Sequence, residues 1–233
     1  MRRIGCIALM LGVAVTACGA NGSDGAADRS LEATTSAIDP AASGVGIVAE
    51  GCSLVAQLGS GAVVGEPGRV VTVAHTISGA SNITVTDANG AEHAARVSGF
   101  DKDADLAVLD VPGLDVAALQ LASSVTIGQA SLITWDRDAG VTAAQVQVTR
   151  RLAITIEDIY VEDTVRRSGL EIAGDVEVGD SGGAIVDANG DVVGIVYANS
   201  RQRDEVGFAT DVVEVTRLLA DADPGTVDNG RCI

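Results

Sequence analysis

The chain has 233 residues, 32 of them acidic and 15 basic, and its net charge of −17 weighs against nucleic acid and against adsorption to anionic lipid. Aromatic residues make up only 2%, too few for stacking platforms that bind bases. With two histidines and four cysteines and no metal-ligand spacing among them, neither a metal nor another cofactor is expected.

Met1-Arg2-Arg3 is a short basic start, residues 4–15 are apolar, and Ala17-Cys18 follows. The apolar run is too short for a permanent membrane helix and reads as an export signal. The residues before Cys18 resemble a bacterial lipobox. Residues 1–17 are therefore expected to be a lipoprotein signal peptide, cleaved before Cys18, whose thiol would carry the lipid. The alternative is an ordinary signal peptidase site near Ala17 and a soluble secreted product. Loss of residues 1–17 removes Arg2 and Arg3 and leaves 13 basic against 32 acidic residues. Residues 18–45 are rich in Gly, Ala, Ser, Thr and Asp without apolar periodicity, and read as a disordered tether.

Residues 46–233 are expected to form one domain. Cys6 leaves with the signal, so Cys52 and Cys232 remain, one at each end of this domain. Outside the cytosol two such cysteines are expected to pair. The loop they would close is nearly the whole domain, worth roughly 4–5 kcal/mol in the chain-entropy model.

The domain reads as all-β. Short apolar or alternating runs over 54–58, 62–64, 69–74, 82–86, 92–99 and 106–111 form a first group of strands. A second group covers 130–135, 142–148, 153–158, 169–172, 183–186, 192–198 and 206–210. The tetrapeptide Asp-Ala-Asn-Gly, a hairpin signal, occurs at 87–90 and again at 187–190. Residues 211–221 form the one convincing helix, with Val212, Val213, Val215, Thr216 and Leu219 along a face. Sandwich and barrel both fit this punctuation.

Chemistry concentrates in Gly179-Asp180-Ser181-Gly182-Gly183. Glycines on both sides of Ser181 permit a sharp turn and the close approach of a carbonyl. The N–H groups of Gly179 and Ser181 could converge there as an oxyanion hole. A serine needs a base, and both histidines lie upstream. His75 ends the β-branched run Arg69-Val70-Val71-Thr72-Val73-Ala74. Asp105 opens the apolar run Leu106-Ala107-Val108-Leu109, with Asp103 as rival for the role of acid. His93 reads as a solvated strand residue. The pentapeptide also matches the nucleophile elbow of α/β-hydrolases, but their triad ends on a histidine after the serine, and none follows Ser181.

Val73-Ala74-His75, Asp105-Leu106-Ala107-Val108-Leu109 and Gly179-Asp180-Ser181-Gly182-Gly183 resemble the three signatures of trypsin-like (chymotrypsin-fold) serine proteases. The 30-residue interval from His75 to Asp105 and the wording around Asp105 are similar to the HtrA-like bacterial branch, and the run 174–210 resembles its MarP-like members. That resemblance covers roughly residues 52–232. It implies two six-stranded antiparallel barrels followed by the C-terminal helix, with the active site in the cleft between them. It also implies a triad of Ser181 as nucleophile, His75 as base and Asp105 as its orienting acid.

The departures are Thr76 where digestive enzymes have a cysteine, Asp180 where HtrA proteins usually have asparagine, and no room for a PDZ domain among the 52 residues after Ser181. After a cleavage, Val45-Gly46-Ile47-Val48 could supply a free N-terminus to Asp180. Asp175, six residues before Ser181, stands where trypsins carry the acid that selects Arg or Lys, and basic-residue preference is a candidate on that ground. The implied function is a serine endopeptidase acting on exported or envelope proteins, a monomer held to the membrane through Cys18. The alternatives are a catalytically silent protease-fold lipoprotein that binds or senses an envelope protein, and an esterase with the same triad.

Overall fold

The computed structural model describes residues 39–223 and 225–233. Cys18, the expected signal peptide and all but the last residues of the expected tether lie outside the described residues. The folded unit spans Ala37–Ile233, and none of its described helices is long and apolar enough to cross a membrane.

After a single 3₁₀ turn at Pro40–Ser43 the first strand, β1, runs over Gly44–Glu50. The strand was not anticipated, and the fold begins earlier than residue 46. Val45 and Ile47 are fully buried, and β1 lies centrally, pairing with β2 (Gln57–Val63) on one side and β4 (Asn82–Thr86) on the other. A free end at Val45 to Val48 would dismantle this ladder, so those residues are not a ready partner for Asp180.

β3 (Arg69–Thr72), β5 (Glu92–Ala94), β6 (Arg96–Asp101) and β7 (Leu106–Asp110) complete a seven-stranded sheet ordered β5-β4-β1-β2-β3-β7-β6. The run 92–99, expected as one strand, is two, because Ala95 gives its N–H to Ile83 and sends the chain across to the opposite edge. Since β5 and β6 are the two edges and only Ala95 separates them, the sheet is rolled upon itself. The expected strand at 54–58 is mostly a surface bend, with Leu54 and Val55 exposed.

β8 (Gly128–Asp136), β9 (Gly140–Glu157), β10 (Thr164–Ala173), β11 (Ala184–Val186), β12 (Val192–Asn199) and β13 (Val206–Asp211) close a six-stranded barrel. The runs at 142–148 and 153–158 are one continuous β9. α2 (Val212–Asp221) follows, its first turn capped by Asp211, which accepts the Val213 N–H at 3.0 Å. The two-barrel expectation therefore holds, with a seventh strand in the first sheet.

Apolar side chains fill three places. Val45, Ile47, Val63, Ile83 and Leu109 pack inside the first sheet, and Leu132, Val148, Leu170, Ile172 and Val196 inside the second barrel. Val71, Val73, Leu106, Ile133, Ile195, Val215 and Leu218 join the two. Trp135 of β8 lies against Gly46 of β1, where any side chain would collide with its ring.

Cys52 and Cys232 form the expected disulfide, closing a separation of 180 residues. It pins a C-terminal strap whose Asn229 donates to the carbonyls of Ile77 and Ala80 at 2.8 and 3.0 Å. The β9–β10 connection also reaches the first sheet, through Lys102 Nζ on Asp158 Oδ2 at 2.7 Å and Tyr160 Oη against Ser78 Oγ at 2.8 Å. Removing the cross-link frees the longest loop available, a loss of about 5 kcal/mol in the chain-entropy model. The Cys52→Ser, Cys232→Ser chain is expected to melt roughly 10–20 °C below the oxidised parent in calorimetry.

Candidate active site

His75 sits in α1 (Ala74–Ile77), a single turn at the end of β3 rather than a strand terminus. Asp105 occupies the turn before β7 with φ +54°, a left-handed conformation that a short polar side chain tolerates. Asp101 builds that turn by accepting the N–H groups of Asp103 and Ala104 at 2.9 and 2.8 Å. Asp105 is buried, and its carboxylate meets His75 Nδ1 at 2.8 and 3.1 Å while accepting the His75 backbone N–H at 2.9 Å. Asp103 instead points to Lys102. His93 lies on β5 beside Asp87, away from this pair.

Ser181 belongs to the tight turn between β10 and β11. It lines, together with His75, a cleft of about 440 Å³ walled also by Leu58, Val176 and Ala198. Its Oγ rests 3.5 Å from the carbonyl oxygen of Tyr197 on β12. The turn is tied to the first sheet by Ser60. That residue gives its N–H to Ser181 O at 2.8 Å and its hydroxyl to Gly179 O at 3.0 Å, and its Oγ accepts the Trp135 N–H at 2.9 Å. Gly182, at φ +92°, has no room for a side chain against Ser60 O and Thr72 Oγ1. Among the described residues, no protein acceptor takes the N–H of Gly179 or of Ser181.

Burial acts to lower the pKa of His75. The Asp105 carboxylate more than reverses this, by hydrogen bond and by charge, and the Arg167 guanidinium opposes it, leaving the imidazole above its ordinary value. Asp180 is pushed up, first by burial and then by the charges of Asp175 and Asp136, against the pull of the Glu177 N–H and the Thr134 hydroxyl. Its Oδ2 accepts that Glu177 N–H at 2.8 Å, the partner that the sequence left unnamed. Asp175 is exposed and outside the cleft lining, which takes Val176 instead, so the ground for a Lys- or Arg-selecting pocket falls away. Among the described residues no group of His, Cys, Asp and Glu is arranged to hold a metal.

Ser60 and Tyr197 escaped the sequence reading. Nothing local marks a strand serine as the partner of a turn 119 residues away, and Tyr197 contributes a backbone carbonyl that every residue possesses.

A rolled sheet and a closed barrel, with a histidine–carboxylate pair and a glycine-set serine on one cleft, define the chymotrypsin-like serine peptidase class. The family model for the trypsin-like peptidase domain matches residues 59–195, and the chain belongs to that family. It is 33% identical over 187 residues to serine protease Rv3671c of Mycobacterium tuberculosis, covering 79% of this chain and 46% of that protein. The chain thus spans about half the length of the curated relatives it matches. The crystal structure of the active form of the Rv3671c protease superposes with a TM-score of 0.78 at 30% identity, over 83% of this chain and 87% of that one. An inactive form gives 0.68 at 31%, over 78% and 90%.

Ser60→Ala would leave Gly179 O and the Trp135 N–H without their partner, at a cost of about 1–3 kcal/mol. If that cost falls on the transition state, kcat/KM drops about 10- to 100-fold with KM nearly unchanged, measurable on any cleaved peptide ester.

Proposed function

We propose that the chain is an exported serine endopeptidase in which Ser181, His75 and Asp105 form the catalytic triad. The observation that carries this reading is the His75–Asp105 pair facing a cleft that it shares with Ser181, whose turn leaves the N–H groups of Gly179 and Ser181 free.

Ser181 Oγ leaves Tyr197 O by rotation about its Cα–Cβ bond and attacks the scissile carbonyl carbon. His75 Nε2 takes the hydroxyl proton, and Asp105 holds the opposite nitrogen and stabilises the imidazolium. The carbonyl oxygen gains the negative charge between the N–H groups of Gly179 and Ser181. His75 then returns the proton to the leaving amine, and water repeats the sequence on the acyl-enzyme. The better agreement with an active than with an inactive form of a relative supports a competent backbone. Val176 and Ala198 in the cleft and Asp175 outside it favour an uncharged apolar P1 side chain. The basic and apolar start of the sequence, read as a signal peptide, and the disulfide favour export, with Cys18 as the lipid anchor of a monomer acting on envelope proteins.

The contact of Ser181 Oγ with Tyr197 O, rather than with the imidazole, favours a second reading as a silent binding lipoprotein. Fluorophosphonate labelling of residues 39–233 separates them. Labelling abolished by Ser181→Ala and by His75→Ala is the result expected of the peptidase, and an unlabelled folded parent that cleaves no peptide overturns it. Because His75 must be neutral to act, kcat/KM is expected to fall as pH drops through a pKa above the ordinary histidine value. Leu or Val at P1 should outperform Lys and Arg, and Asp175→Ser should leave that ranking unchanged.

A further inference from the structure

Arg167 of β10 is buried to 7% exposure and, among the described residues, makes no ion pair with any carboxylate. Isolated charges are rarely kept in such places without a role, because water solvates them far better. Its guanidinium carbon lies 4.4 Å from the centroid of the Tyr197 ring, and its Nη1 donates to Asp103 O at 3.2 Å. Its Nε–H is buried without a partner. One side chain therefore touches the turn that presents Asp105 and also the residue whose carbonyl accepts from Ser181.

We propose that Arg167 is a positioning residue of the active site, its guanidinium bracing the Asp103-Ala104-Asp105 turn of the first sheet against Tyr197 of the second barrel, behind the triad. The stacked ring fixes the plane of the guanidinium, and the plane aims Nη1 at Asp103 O. Lysine could supply the charge but not the plane. The backbone of Asp105 is left-handed, so it depends on neighbours that hold the turn, and Thr210 does this from the other side through Ala104 O at 3.1 Å.

The cation also acts at a distance. The groups that face His75 are Asp105 from the turn before β7, Arg167 from β10 and Tyr197 from β12, with Glu177 and Arg201 along the same cleft. The positive charge of Arg167 disfavours a second positive charge on the imidazole and holds its pKa below what Asp105 alone would give. Neutralising Arg167 must therefore move His75 upward, and the acid limb of kcat/KM with it.

Arg167 can matter in this way only if the triad reading holds, and the test keeps the two apart. In the oxidised chain carrying His93→Gln and Ser181→Ala, His75 is the only imidazole, and its titration is read by NMR without any need for activity. Arg167→Gln is expected to raise that pKa by several tenths of a unit, and Arg167→Lys to leave it near the parent value. With Ser181 restored, both variants are expected to lose kcat about tenfold or more with little change in KM. At one pH unit below the limb, Arg167→Gln should lose a further two- to threefold. An unmoved His75 in folded Arg167→Gln overturns the proposal. So does a parent-like kcat in both variants. Retained peptidase activity in Ser181→Ala would instead defeat the triad reading and leave the titration to be judged by itself. Should Arg167→Gln not fold, Tyr197→Leu removes the ring that seats the guanidinium but keeps the carbonyl. His75 is then expected to rise as well, and no change would overturn the proposal.

Discussion

The carbonyls of Gly179 and Ser181, in the turn beside the cleft, take their hydrogen bonds from outside that turn. Ser60 supplies both, through its hydroxyl and its N–H, and its Oγ is oriented in turn by the Trp135 N–H. Its position is set within the first sheet, where it pairs opposite Gly46 on β1 and its carbonyl accepts the Thr72 hydroxyl at 2.7 Å. The ladder of one barrel thus fixes the serine turn of the other. The glycines follow from that closeness: at Gly182 a Cβ would strike Ser60 O, and at Gly183 it would come within 2.7 Å of Ile133 O. A turn held this tightly from outside leaves the N–H groups of Gly179 and Ser181 without a protein acceptor, as the oxyanion hole proposed above requires.

The histidine is mounted differently. A one-turn helix cannot sustain itself, since nucleation costs more than a single hydrogen bond returns. α1 is held from its C-terminal end by Asn229, which takes the carbonyls of Ile77 and Ala80, and by the N–H of Gly79 donating to Asn229 O at 3.0 Å. Asn229 is itself fixed by the Cys52–Cys232 disulfide and by Arg231, whose carbonyl accepts from Ser78 and whose N–H reaches Tyr160 Oη. Tyr160 lies in the connection that ends β9. The second barrel and the chain terminus therefore meet on the histidine's support, far in sequence from His75 itself.

That distance explains which parts were legible beforehand. His75, Asp105 and Ser181 could be read because each closes or opens an apolar run with distinctive neighbours, and their order excluded the rival fold. The cysteine pair followed from counting, and α2 from its apolar face. β1 was hidden because its Gly-Val-Gly start continues the small-residue composition of the tether, and burial there comes from neighbours on both sides. The crossing at Ala95 leaves no mark in the periodicity, since the chain stays extended while it changes edge. Asp175 was placed by offset alone, and offset does not determine which way a side chain faces. Ser60 and Arg167 act across the gap between barrels, where no local pattern carries information.

The charges show the same division. Most of the deeply buried carboxylates have a cation or a backbone donor: Asp158 has Lys102, Glu171 has Arg150 and Arg203, and Asp211 has Arg151. Among the described residues two charges near the cleft lack an opposite charge, the guanidinium of Arg167 and the carboxylate of Asp180, which accepts the Glu177 N–H. These two respond to acid differently from the ion pairs. Glu171, held at about 2 by Arg203 and Arg150, contributes stability that is full above the ordinary carboxylate range and is lost progressively as pH falls from there through that low value. Asp180 is raised instead, so the folded chain takes up its proton before the unfolded chain does, and acidification relieves its repulsion with Asp175 and Asp136. Between those two limits the serine turn becomes easier to hold while the β10 ion pairs remain intact. Acidification also protonates His75, whose pKa lies above the ordinary histidine value, so on the triad proposed above acid removes the base while it eases the serine turn.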